Sequence, residues 1–275
     1  MLFRYSSGQA GSPDIPHATT MPIKRKPVHQ DLILAVDIGN SRIKTGIFAG
    51  TRLKIFAAMP TVHERFTLPD GFDLRRVKIA GIASVVPSAV KRIADVLREH
   101  YHLDPVIIHS GECGVTLRVK SRERVGIDRV LNARAAHDRH GGPLIIADIG
   151  SAATVDLVSE RGEFLGGAIM PGPDLWLSSL AQTALLPKTT GSGRTYLPGR
   201  DTEEAIRAGL RFGYPAAIGG IIRGFLRRFP HAKIILTGGA GSVVHRLDGM
   251  TFSRSPHLTL TGIALVLDHR ARTKP

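Results

Sequence analysis

The chain has 275 residues, 43% of them hydrophobic, and a single cysteine, Cys113. That length suffices for two modest domains; one cysteine excludes an intrachain disulfide, and no apolar run approaches the ~20 residues that span a bilayer. The formal charge is +14, but the basic residues are dispersed, aromatic residues make up only 5%, and neither zinc-finger spacing nor an aromatic stacking platform is present. The charge therefore fits attraction to anionic substrates better than dedicated nucleic-acid binding. With no secretory pattern at the start, a cytoplasmic enzyme or binding protein is the default expectation.

Residues 1–30 mix Ser, Gly, Pro, His and Thr with little periodicity and end near the basic run Lys24, Arg25, Lys26. This composition predicts a flexible extension outside the fold. From Leu32 to Phe48 the sequence LILAVDIGNSRIKTGIF predicts a strand, a polar turn and a second strand. Gly39 lets the backbone approach a ligand, and successive amides in such a turn make a concave anion site. Asp37 is placed to hold a metal-bound nucleotide, and Lys44 to act as a point charge on phosphate oxygens. The same residue types also serve hairpin geometry alone. Next, Lys78–Val86 predicts a buried strand closed by Pro87, Ser88 caps a helix that presents Val90, Ile93, Ala94 and Leu97, and Pro105–His109 predicts another strand. This order suits a mixed α/β layer.

The stretch Val125–Ala136 predicts a glycine turn leading into a helix with Ile127, Leu131 and Ala135 on one face. Asp128, Arg129 and Asn132 lie near its start. Asp128 is either a dipole partner of the helix or a general base beside an arginine that can bind a carboxylate in bidentate fashion. After Gly141-Gly142-Pro143, the segment LIIADIGSAATVDLV at 144–158 repeats the first motif: Asp-Ile-Gly recurs at Asp148, followed by Ser151 and a second strand. One unit repeated at domain-sized spacing predicts a duplicated fold with two halves facing across a cleft, divided as 31–141 and 142–275.

Phe164–Met170 predicts a strand, and Asp174 caps a helix with Leu177, Leu180, Ala181 and Ala184 inward. Lys188–Pro198 predicts a loop. Thr202 is expected to cap a further helix with Glu203 and Glu204 in its first turn, and Pro215 starts another with Ile218, Ile221, Ile222, Phe225 and Phe229 as core. A strand at Lys233–Leu236 then delivers the glycine-rich turn 237–241, suited either to a nucleotide or to a strand-to-helix connection, and Thr261–Leu267 predicts a terminal helix.

Taken together, DIGNSRIKTG at 37–46, GIDR at 126–129, DIGSAATVD at 148–156, GGAIMPG at 166–172, TALLP at 183–187, DTEEAIRAG at 201–209 and TGG at 237–239 resemble, in order and spacing, the type III pantothenate kinases. That family lies in the superfamily of sugar kinases, heat-shock chaperones and actin. The resemblance implies an α/β chain of two ribonuclease H-like, actin-like ATPase domains with mixed sheets flanked by helices. It implies a homodimer that uses ATP, with Mg2+ or another divalent cation and K+ or NH4+, to phosphorylate pantothenate to 4'-phosphopantothenate, the first step of coenzyme A biosynthesis. By position, Asp37, Ile38, Gly39, Asn40, Ser41, Arg42, Ile43 and Lys44 would hold ATP phosphates together with Ser151. Gly126, Ile127, Asp128 and Arg129 would bind pantothenate, with Asp128 as base. Asp148 would serve the monovalent cation, and Thr202 would reach pantothenate across the dimer interface.

Several positions depart from the family pattern. Ser41 and Ser151 stand where threonine is usual and keep the hydroxyl, whereas Ala153 replaces a threonine and loses it. Before GIDR, Val119, Ser121 and Arg122 stand where the family commonly has tyrosine, asparagine and proline, so the acceptor side differs more than the nucleotide side. A non-catalytic nucleotide-binding relative of the same fold and a kinase of another small hydroxy acid are the rival readings.

Overall fold

The computed structural model describes residues 31–62, 66–68, 71, 74–183, 185–247 and 249–273. The predicted extension 1–30 and Ala184 lie outside the described residues. Two five-stranded sheets are built on one plan. In the first, β1 (Leu32–Ile38), β2 (Arg42–Ala49) and β3 (Arg52–Pro60) form an antiparallel meander; β4 (Val77–Ser84) and β5 (Pro105–Ile107) then add in parallel on the free side of β1. The strand order is β3-β2-β1-β4-β5. The second sheet repeats it with β6 (Leu144–Ile149), β7 (Ala152–Val158), β8 (Phe164–Pro171), β9 (Lys233–Thr237) and β10 (Ser253–Arg254), in the order β10-β9-β6-β7-β8. A meander followed by parallel additions is the ribonuclease H-like arrangement, and here it occurs twice.

Helices cover both faces of each sheet, which parallel strands require because their connections must cross over. The α1 helix (Pro87–Tyr101) packs on one face of the first sheet, where Leu34, Val36, Ile38 and Ile82 meet Ile93 and Leu97. On its other face Ile33, Ala35 and Phe48 join α2 (Ile127–His140), α6 (Leu258–Thr273) and the inner residues Leu144, Ile146 and Val158 of the second sheet in one core. The outer face of the second sheet is closed by α5 (Tyr214–Leu226) through Tyr214, Ile218 and Ile222. Small residues let the central helices approach: a Cβ on Gly262 of α6 would lie 2.5 Å from the Leu131 carbonyl oxygen of α2, and one on Gly81 of β4 would lie 2.7 Å from Leu267 Cδ1.

Three predicted caps are corrected. Val86 precedes α1 and Pro87 takes its first turn, so Ser88 does not cap it. Gly172 precedes α3 (Pro173–Leu180), and Asp174 lies inside the first turn. In both, a proline with preset φ and no N–H starts the helix without a side-chain acceptor. At α4 (Thr202–Ala208) the cap is Asp201, whose Oδ1 accepts from the Glu204 N–H at 2.7 Å, and Thr202 is the first helical residue. A π-helical turn at Gly209–Gly213 joins α4 to α5.

Candidate active site

The two-residue period that sends Val36 and Ile38 towards α1 sends Asp37 into the space between the sheets. Its neighbour across the hairpin is Lys44, whose Nζ lies 3.5 Å from Asp37 Oδ2. Burial raises the Asp37 carboxyl to about 6; Lys44 opposes the shift, and Asp128 and Asp148 add to it. Asp148 occupies the same place on β6. Burial raises its carboxyl as well, against the pull of Lys44 and a hydrogen bond from Asn132, with Asp128 again pushing upward. Asp37, Asp128, Asp148 and Lys44 therefore share one electrostatic environment.

The two Asp-Ile-Gly turns meet at their tips. Gly39 N–H donates to the Arg42 carbonyl and Gly150 N–H to the Ala152 carbonyl, each at 3.0 Å. The first loop thus carries one residue more than the second, and the hydroxyls of Ser41 and Ser151 lie 2.6 Å apart across the junction. Asn40, Ser41 and Arg42 are exposed, whereas Ile38 and Ile43 are core residues on the α1 side that leave only their backbone to a ligand. The glycine-rich turn after β9 rests on the second hairpin. Gly238 has φ of 93°, a Cβ there would lie 2.5 Å from Asp148 Oδ1, and Ala240 N–H donates to the Ile149 carbonyl at 2.9 Å.

The head of α2 supplies the third part. Gly126 precedes the helix, and a Cβ on it would lie 2.5 Å from Asp128 Oδ1, so this carboxylate folds back over the glycine and a side chain there would have to displace it. Asp128 Oδ1 accepts the Arg129 N–H at 2.9 Å. Ile127 is buried and serves packing. The Arg129 guanidinium donates through Nε and Nη2 to Asp156 of β7 and lies over the Phe164 ring at 5.2 Å. One edge of Arg129 is therefore occupied by a buried carboxylate, which fixes where the guanidinium points. Burial raises the Asp156 carboxyl in spite of Arg129.

Sequence reasoning assigned no role to Asp156, Asn132 or Thr259, although each is a polar residue within an apolar run. Thr259 of α6 donates to Asn132 Oδ1 at 2.9 Å, and Asn132 Nδ2 donates to Asp148 Oδ2 at 2.7 Å. This relay orients Asp148 from two helices. His257, at φ 62° just before α6, places its ring 4.0 Å from that of Phe56; burial lowers its pKa, and the Lys44 charge adds to the effect.

Thr202 makes no hydrogen bond to this cluster among the described residues. It lines an apolar groove of about 620 Å³ with Pro171, Trp176, Leu180 and Ile206, on the side of α3 and α4, although Pro171 of this groove pairs with Ala152 beside the Ser151 tip. Of the altered segment before GIDR, Val119 packs beside Gly166, Ser121 is exposed, and Arg122 lines a separate cavity of about 450 Å³ with Ser110 and Leu117. Among the described residues no group of three or more His, Cys, Asp or Glu side chains is arranged to hold a metal alone. Asp37, Asp128 and Asp148 outnumber Lys44 in this environment, and that surplus of negative charge fits a divalent ion shared with phosphate oxygens and water, as Mg2+ is usually bound.

Paired ribonuclease H-like sheets whose first hairpins face each other with one aspartate apiece define the actin-like ATPase fold class. The family model for type III pantothenate kinase matches residues 33–224. A type III pantothenate kinase from Frankia alni is 33% identical over 247 residues, covering 86% of this chain and 99% of that protein. One from Persephonella marina is 34% identical over 248 residues, covering 84% and 96%. Among solved structures, component A of the (R)-2-hydroxyglutaryl-CoA dehydratase of Acidaminococcus fermentans has a similar fold, with a TM-score of 0.52 at 12% identity over 88% of this chain and 99% of that one. The chain belongs to the type III pantothenate kinase family.

Proposed function

We propose that this protein transfers the γ-phosphoryl group of ATP to the primary hydroxyl of pantothenate, and that the cleft between the Asp37 and Asp148 hairpins is where it does so. The carrying observation is the meeting of the two Asp-Ile-Gly turns at Ser41 and Ser151, with Asp128 entering the same charge cluster from the head of α2. Phosphoryl transfer needs alignment and charge stabilisation more than covalent help from the protein, and this constellation offers both.

The turn from Asp37 to Lys44 holds the phosphates through its backbone amides and Lys44, with Ser151 closing from the opposite hairpin. Asp128 accepts or orients the proton of the attacking hydroxyl. Arg129, fixed by Asp156, offers its remaining edge to the pantothenate carboxylate, and Gly126 and Ile127 shape the approach. A divalent ion bound with ATP neutralises phosphate charge. Asp148, oriented by the Asn132 and Thr259 relay, is the candidate partner of K+ or NH4+. The repeated strand order supports residues 31–141 and 142–275 as the two domains, with α6 returning to pack between the sheets. Thr202, whose groove does not include Asp128, is assigned to the site of a second copy in a homodimer.

The test is to incubate purified protein with ATP, Mg2+ and pantothenate, in potassium and separately in sodium, and to follow 4'-phosphopantothenate. Product forms in potassium if the reading is right; its absence where a known family member is active would sink it. Asp128→Asn is expected to abolish turnover while ATP binding persists, and near-normal turnover would remove Asp128 as a required base.

A further inference from the structure

On the outer side of α5, away from the carboxylate cluster, lies a cavity of about 300 Å³ whose rim carries Arg211, Arg223, His245 and Arg246. Its floor is Pro215 and Gly219, small or rigid residues that leave room between the rim side chains. Among the described residues no carboxylate belongs to the lining. Among the described residues, neither the Arg211 nor the Arg223 guanidinium has a hydrogen-bond or ion-pair partner. Arg211 also borders a second cavity of about 360 Å³ that contains Arg194, so the positive surface runs on beyond the first.

The local backbone explains why these charges converge. The π-helical turn at Gly209–Gly213 carries Arg211 on the last irregular turn before α5. Arg223 lies two helical turns beyond Pro215 on the same face, with Gly219 between them. The turn after β9 brings His245 and Arg246 against that face. Several cations elsewhere are paired: Arg129 with Asp156, Arg200 with Glu204, Arg207 with Glu203. A concave site where the Arg211 and Arg223 guanidiniums converge without a partner among the described residues concentrates like charge, and an anion relieves it.

We propose that this cavity is a second anion site, distinct from the cleft, that binds a small phosphate-bearing molecule. Arginine's planar fork matches phosphate oxygens in bidentate fashion, and several guanidiniums favour a multiply charged phosphate over a single carboxylate. The volume lies at the lower end of ligand pockets and limits the occupant to about the size of pyrophosphate or a mononucleotide. The inference goes beyond the kinase reading and does not depend on it.

The test uses the full chain with inorganic pyrophosphate as probe, without divalent metal and at fixed ionic strength, followed by calorimetry. Saturable binding is expected. Arg211→Gln and Arg223→Gln should each weaken it about tenfold or more, the loss of one charge-assisted contact, while product formation from ATP and pantothenate stays as in the parent protein. Thermal melts confirm that both variants fold; should either fail to fold, Arg223→Lys, which keeps the charge and loses the fork, should still weaken binding. Absence of saturable binding overturns the proposal. So does binding that survives both arginine substitutions, or that Lys44→Ala removes while they do not, since the probe would then sit in the cleft.

Discussion

Asp37 is costly where it stands. An ordinary aspartate titrates near 3.8, and burial holds this one near 6. Its folded pKa is raised, so the native chain binds more protons than the unfolded chain between those values; stability is fullest below about 4 and declines as pH rises through 6. The difference corresponds to about 3 kcal/mol at neutral pH. Asp37→Asn, which removes the buried charge and keeps the shape, is therefore expected to raise the melting temperature at pH 7.5, with the gain shrinking towards pH 4, while activity is lost. Equal melting curves at both pH values would show that the charge is compensated. Such a trade of stability for a poised site is common at functional positions. The same residue shows how far the site was legible in the sequence. An acid closing a run of buried apolar residues marks Asp37, and the recurrence of Asp-Ile-Gly marks Asp148, whereas the first-turn place of Asp128 suits a dipole partner as well as a base and only the resemblance at GIDR singles it out. Asp156 and the relay through Asn132 and Thr259 carried no such mark, because each bond joins side chains from different elements: Arg129 reaches across to β7, and α6 reaches back to α2.

At the scale of elements, the hinge of the architecture is the α2–α6 pair that lies between the sheets. It depends on Gly262, where a methyl group would meet the Leu131 carbonyl oxygen at 2.5 Å, a backbone atom that cannot rotate away. Gly262→Ala is expected to lower stability by about 1–3 kcal/mol through forced separation of the helices. Because Thr259 and Asn132 orient Asp148 across this same junction, turnover should fall along with the urea midpoint. An unchanged midpoint would mean that the pair is loose enough to absorb the methyl. The fold's main elements were readable because β1, β4, β6 and β9 are buried on both faces and appear as continuous apolar runs. By contrast β3 alternates exposed and half-buried residues along its whole length, with none fully buried, so its apolar residues 55–59 do not mark a core strand, and β10 is only two residues long. The caps at Ser88 and Asp174 were misplaced for a different reason, since Pro87 and Pro173 begin those helices without a side-chain acceptor.

For the molecule as a whole, the proposed role of Thr202 requires a dimer. Within one chain Thr202 belongs to the apolar groove beside Trp176 and Ile206, whose lining does not include Asp128. Around that side the chain exposes Leu185 at 92%, Leu197 at 70%, Ile169 at 65% and Leu175 at 51%. Large apolar side chains so exposed in one region mark a surface made to be covered. In a twofold dimer each covered leucine counts twice, once from each copy. Burying Leu185 contributes about 1.5–3 kcal/mol per copy, so Leu185→Asp should weaken association by roughly a hundredfold or more while leaving the monomer intact, because the side chain packs against little in one chain. Sedimentation should then show a dimer for the parent protein and a monomer for the variant. If Thr202 completes the acceptor site of the second copy, the monomeric variant and Thr202→Ala share one kinetic signature, a raised pantothenate KM with ATP binding retained at the Asp37 hairpin. A parent protein that is monomeric and fully active at the same concentration would show that the acceptor site is complete within one chain, and Thr202 would then be no more than the first residue of α4.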